Sequence, residues 1–221
     1  MTLPRPQSPS QAPSASLTDT WCEHVTHLLY LHGFRSSPQS MKAQKMAAHV
    51  AHHHPEVVFW CPQLPPSPRE AMALVSHGLA QWPVGRLAVM GSSLGGFYAT
   101  WVAERLAVAA GCPVVLVNPA VNPARDLARH IGEQTHWHDP SQRFFFQPAF
   151  VDELRAQEVA TLQGPGRYQV WAATGDEVLD WRDMQHRYRD SQLQIVPGSD
   201  HALSDFDQHL PTMLAHLHLK S

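Results

Sequence analysis

Short, almost wholly apolar runs recur along the chain, separated by stretches in which apolar residues return every three or four positions. The runs are His27–Leu31, Glu56–Leu64 with Val57, Val58, Phe59 and Trp60 at its centre, Leu87–Met90, Pro113–Asn118, Tyr168–Ala173 and Gln192–Val196. Continuous apolar character of this length predicts strands buried on both faces, because a solvated face would show as alternation. The intervening stretches predict helices at Met41–His53, capped by Ser37 or Ser40 and stopped before Pro55, at Arg69–Trp82, at Phe97–Leu106 and at Trp181–Tyr188. Phe206–Leu219 predicts a closing helix in which Pro211 is tolerable only if it falls in the first turn.

Six strands alternating with helices between residues 27 and 219 predict an α/β fold, a compact and mostly parallel sheet with helices on both faces and right-handed connections. The pattern lapses between residues 124 and 166. A short helical piece at Arg125–Ile131 is followed by a polar stretch with His136, Trp137 and His138, the aromatic run Phe144–Phe146 and a helix at Val151–Leu162. One crossover helix would suffice there, so the excess predicts a small cap-like insertion, with Phe144–Phe146 as packing rather than a dedicated acyl box. Residues 1–20 mix proline and serine, a composition that cannot bury enough apolar area to offset the entropy of ordering it, and predict a disordered tail ahead of a single domain over 21–221.

Composition narrows the partners. A net charge of −3 argues against nucleic acid, whose binders are normally basic, and leaves small-molecule or acyl substrates as the better class. No run approaches the roughly 20 apolar residues of a transmembrane helix, and the N-terminus lacks the basic-then-apolar order of a secretory signal. Cys22, Cys61 and Cys112 are odd in number and make no C-x-x-C, which fits reduced thiols and a cytoplasmic location. His52-His53-His54 sits at a helix end, where solvated imidazoles suit the helix dipole, so neither a metal nor another cofactor is expected. Nothing in the composition sets an oligomeric state.

The candidate chemistry lies at Gly91-Ser92-Ser93-Leu94-Gly95, a G-x-S-x-G sequence that follows a strand and opens a helix, the context of a nucleophile elbow. Gly91 and Gly95 flank Ser93 because a sharp turn brings backbone segments too close for a Cβ. A serine hydroxyl is a weak nucleophile unless a base takes its proton and a third group orients that base. Asp176 follows one strand end and His201 the next, giving the order Ser…Asp…His. Asp180 and Glu177 are rivals of Asp176, and Asp180 has an alternative use as a helix cap. Ser92 and Ser199 read as turn or supporting residues. His32-Gly33 after the first strand is where half of an oxyanion hole is built, so the backbone N–H groups of Phe34 and Leu94 are the expected donors.

His32-Gly33-Phe34-x-Ser36-Ser37-Pro38, Gly91–Ala99, Asn118-Pro119-Ala120, Thr174–Asp180 and Gly198–His201 together resemble the YqiA-like esterases of the α/β-hydrolase superfamily. The resemblance runs from about residue 27 to 207 and implies a compact α/β-hydrolase fold of about six strands with a small cap. It also implies a serine esterase or thioesterase that works through an acyl-enzyme, with Ser93 as nucleophile, His201 as base and Asp176 as orienter. The tail lies outside the family core, and Arg35 stands where a small polar residue, often asparagine, is expected. Fold alone does not give function. The alternatives are a binding protein that kept the fold without catalysis, against which the complete Ser/Asp/His set argues, and an acyltransferase or carbon–carbon hydrolase on the same three residues.

Overall fold

A computed structural model describes residues 24–107 and 111–219. Strands β1 (His27–Leu31), β2 (Val58–Trp60), β3 (Leu87–Ser92), β4 (Val114–Val117), β7 (Tyr168–Ala173) and β8 (Gln192–Val196) form one sheet in the order β2-β1-β3-β4-β7-β8, every pair parallel. The apolar runs are continuous because the sheet feeds two cores. Leu29, Leu31, Val89, Val114, Leu116 and Val170 pack on one face with helices α2 (Pro68–Leu79), α3 (Leu94–Arg105) and α5 (Pro148–Ala156). Their neighbours Leu28, Tyr30, Ala88, Met90, Val115, Val117 and Trp171 pack on the other with α1 (Met41–His53) and α7 (Phe206–His216). Successive side chains on a strand point to opposite faces, so a strand covered on both sides must be apolar at every position.

Some bounds differ from the sequence reading. β2 is only three residues of the longer apolar run, because it is an edge strand and Val58 is exposed there. α2 begins at Pro68, a residue suited to the first helical position, with the Ser67 side chain accepting the Glu70 N–H at 3.2 Å. Ser40 is the N-cap residue of α1, without a side-chain bond. Pro211 lies inside α7 beyond its first turn, contrary to expectation; the residue four positions back, Asp207, is exposed, so water can satisfy the carbonyl that the missing N–H leaves free.

The stretch between β4 and β7 departs most. Helix α4 (Pro123–Leu127) and a 3-10 turn at Ala128–His130 lead into an antiparallel hairpin of β5 (Gly132–Thr135) and β6 (Arg143–Phe146), read from sequence as irregular polar chain and an aromatic run. α5 follows, starting at Pro148 and ending at Ala156 rather than spanning Val151–Leu162. Helix α6 (Trp181–Arg187) joins β7 to β8. The Pro/Ser-rich segment 1–20 and Cys22 lie outside the described residues; Cys112 is buried and Cys61 half-buried. Among the described residues no helix is long and apolar enough to cross a membrane.

Candidate active site

The site begins at the hinge between β3 and α3. Ser93 holds φ 57° and ψ −124°, a region that costs a non-glycine residue about 1–3 kcal/mol and persists only where the surroundings impose it. They do so through three backbone bonds: Ser93 N–H donates to the Val117 carbonyl at 3.0 Å, and its own carbonyl accepts from Gly96 at 2.8 Å and Ala120 at 3.0 Å. The flanking glycines are steric necessities. A Cβ on Gly91 would lie 2.2 Å from the Gly95 carbonyl oxygen, and one on Gly95 would lie 1.9 Å from that of Leu31.

His201, in the loop after β8, reaches back across the sheet ends. Its Nε2 lies 3.0 Å from Ser93 Oγ and its Nδ1 2.8 Å from Asp176 Oδ2. The Asp176 side chain is fully buried, and its second oxygen accepts the N–H groups of Val178 and Leu179, both at 2.8 Å. A carboxylate so held has one oxygen left for the imidazole, which requires an N–H on Nδ1 and leaves Nε2 as an acceptor facing the serine hydroxyl. Asp180, its rival, caps α6 through the Arg182 N–H at 2.9 Å. Ser199 donates to Asp205 at 2.5 Å, away from the histidine.

The loop that carries His201 is held from several sides by residues the sequence reading did not assign to it. Asn118, fully buried with φ 43°, donates from Nδ2 to the carbonyls of Asp200 and His201 at 3.0 Å each and accepts the Ala173 N–H at 2.8 Å. It thereby ties the ends of β4 and β7 to the histidine loop. Glu177 accepts the His201 N–H at 3.0 Å, and Lys42 donates to the Ala202 carbonyl at 2.5 Å. Burial pushes the Lys42 ammonium down to about 8, although the carboxylates of Asp200 and Asp176 act in the opposite direction. Asn118 stands before a proline at a strand end, a signal that marks a turn but not the loop 82 residues away that the turn supports.

Phe34 and Leu94, the expected oxyanion donors, line one cavity together with Ser93. Leu94 is the first residue of α3, where a helix N–H has no partner of its own. Among the described residues neither its N–H nor that of Phe34 donates a hydrogen bond. The Gly33 backbone lies against the serine, since a Cβ there would come within 3.1 Å of Ser93 Cβ. His32 fixes this loop from beneath: Nδ1–H donates to the Gly33 carbonyl at 3.0 Å and Nε2 accepts the Leu64 N–H at 3.1 Å. Burial lowers its pKa to about 4, so the imidazole is neutral, as an acceptor nitrogen requires. A cavity of about 640 Å³ opens here, lined among others by Gly33, Phe34, Ser93, Leu94, Glu177 and His201. Among the described residues no group of three or more His, Cys, Asp or Glu is placed to hold a metal; at the end of α1 the His53 ring lies tilted against His49 and meets His52 edge-on, both at 4.6 Å between centroids.

A parallel sheet in this strand order, with a strained serine between strand and helix and an acid and a histidine after the last two strands, defines the α/β-hydrolase class. Solved structures share the fold. The esterase domain of a Rhodothermus marinus protein aligns with a TM-score of 0.60 at 18% identity, covering 91% of this chain and 87% of that one. Alpha/beta hydrolase domain-containing protein 10 from mouse gives 0.59 at 13% identity, covering 86% and 90%. Est1E from Butyrivibrio proteoclasticus gives 0.57 at 14%, covering 89% and 86%. Within this class the chain belongs to the uncharacterised protein family UPF0227, whose family model matches residues 27–218, the YqiA-like family that its motifs resemble.

Proposed function

We propose that the protein is a serine hydrolase of carboxylic esters or acyl thioesters. The observation that carries this reading is the chain of hydrogen bonds from Asp176 through His201 to Ser93 Oγ, at 2.8 and 3.0 Å, on the wall of an open cavity. In this reading Ser93 Oγ attacks the acyl carbon while its proton passes to His201 Nε2, and Asp176 stabilises the imidazolium that results. The carbonyl electron pair moves onto oxygen, where the N–H groups of Leu94 and Phe34 receive it. Collapse of the tetrahedral adduct breaks the bond to the alcohol or thiol, which leaves with the proton from Nε2. Water, giving its proton to the same nitrogen, then attacks the acyl carbon; the acyl–Oγ bond breaks, Ser93 Oγ takes the proton back from Nε2 and the acid leaves.

The reading calls for no metal or cofactor, and its substrate is a small acyl ester or an acyl-CoA. The test is a panel of acyl esters and acyl-CoAs of varied chain length, with labelling by a fluorophosphonate. Wild type is expected to hydrolyse members of the panel and to label, whereas Ser93→Ala should lose labelling and most of the rate; loss need not be complete, because binding and the oxyanion donors survive. Labelling that persists in Ser93→Ala overturns the assignment, and a wild type inert to both probes favours the binding-protein alternative.

A further inference from the structure

The hairpin β5–β6 has only two strands, and an isolated two-stranded ribbon is marginal in water. Besides the buried Phe146, which packs on Phe150 of α5, its anchorage is the loop after β1. The Phe34 ring meets the edges of Phe144 and Phe146 of β6 at 5.9 and 5.2 Å between centroids, nearly perpendicular to both. Arg35 makes the rest of the joint. Its carbonyl accepts the Trp137 N–H at 2.8 Å, and its guanidinium donates from Nε to the Thr135 carbonyl at 2.6 Å and from Nη2 to Thr135 Oγ1 at 2.9 Å. The same guanidinium lies 4.0 Å over the Trp137 ring.

This many contacts fall on a residue whose own backbone is unfavourable. Arg35 has φ 60°, the left-handed region that an arginine seldom adopts unless its surroundings hold it there. The Phe34 N–H belongs to the Gly33–Phe34 peptide, one peptide before Arg35 φ, so both lie in one short arc between His32 and Ser36. The arc is closed by a bond from Ser36 N–H to the Gly33 carbonyl at 3.2 Å. A planar fork suits this role better than the small polar residue of the family pattern, because two bonds and a stacking face fix the orientation of the loop together.

We infer that Arg35 is a positioning residue: by strapping the β5–β6 hairpin to the loop after β1, it holds the Phe34 N–H on the oxyanion of the substrate. The inference rests on the esterase reading for its chemistry but not for its mechanics. Two variants test it, Arg35→Ala and Trp137→Ala; Trp137 is 64% exposed, so its truncation leaves the core untouched. Hydrogen–deuterium exchange over residues 33–37 should rise in both variants, whatever the substrate. With active sites counted by fluorophosphonate, kcat on the best ester should fall roughly ten- to a hundred-fold in Arg35→Ala. KM should change little, and inhibition by a trifluoromethyl ketone, which forms an oxyanion on Ser93, should weaken in parallel. The double variant should be no worse than Arg35→Ala, because the two side chains act as one strap. Unchanged exchange overturns the strap, and raised exchange with an unchanged kcat per active site overturns the positioning role. A wild type that neither hydrolyses nor labels, yet shows the exchange difference, fails the esterase reading and with it the catalytic part of the inference, while the mechanical joint stands.

Discussion

Asp176 and Asp180 lie four residues apart, and their different surroundings separate their roles. Asp176 is buried, with one oxygen committed to two backbone N–H groups and the other to His201. Asp180 is about half exposed and caps the helix that follows. Replacing Asp176 by its amide keeps the shape but admits the imidazole tautomer that cannot accept the serine proton, an effect of about 10⁴ in kcat in a serine protease. Asp176→Asn is therefore expected to lower kcat by about three to four orders of magnitude, and Asp180→Asn to cost a few tenths of a kcal/mol of stability, since asparagine also caps helices. Steady-state kinetics on folded protein checks the pair; a larger loss of kcat in Asp180→Asn would contradict the proposed triad.

At the scale of elements, the β3–α3 hinge shows how strictly tertiary contact governs a glycine. A Cβ on Gly95 would meet the Leu31 carbonyl oxygen at 1.9 Å, and that oxygen belongs to a strand paired on both sides. Neither partner can move without breaking the sheet, so Gly95→Ala is expected to destabilise by about 3 kcal/mol or more. Gly85, in the exposed turn before β3, has nothing within 4 Å of the same position and no positive φ. Gly85→Ala is expected to be neutral or to stabilise by up to about 1 kcal/mol, by narrowing the unfolded ensemble. Chemical denaturation of both variants reads the opposite signs. A Gly95→Ala protein as stable as wild type would show that the hinge is looser than its geometry.

For the whole molecule, the neutral state of His32 links the site to stability. His32 is 3% exposed, and its pKa falls from 6.5 in the unfolded chain to about 4 in the fold. Between those values the unfolded chain binds a proton that the folded chain does not, so stability is lost as pH falls from about 6.5 towards 4. The full span is worth up to about 3 kcal/mol at 1.36 kcal/mol per pKa unit. Burial also lowers His216, and less deeply buried His27, His49 and His130 shift the same way, so the contribution is read as a difference between proteins. His32→Gln is expected to be less stable at neutral pH but to lose less on acidification; parallel slopes for the two proteins between pH 6.5 and 4 would place the acid sensitivity elsewhere.

The sequence by itself determined the sheet, because strands covered on both faces must be apolar at every position and no other arrangement explains runs such as Val114–Val117. It also determined the hinge, since a serine between two glycines after a strand describes a turn whose steric demands are local. The order of Ser93, Asp176 and His201 along the chain placed all three at strand ends. Tertiary structure alone decided the rest. The β5–β6 hairpin escaped because Gly132–Thr135 has no apolar alternation and its contacts include those of Phe34 and Arg35 across about 100 residues. Pro211 sits deeper in α7 than propensity allows because buried Phe206, Met213 and Leu214 hold the helix on both sides of it. Lys42, Asn118 and Glu177 carry no pattern that predicts their convergence on the loop of His201. Their bonds run to backbone groups distant in sequence, and side-chain chemistry alone cannot specify which loop the fold will bring within 3 Å.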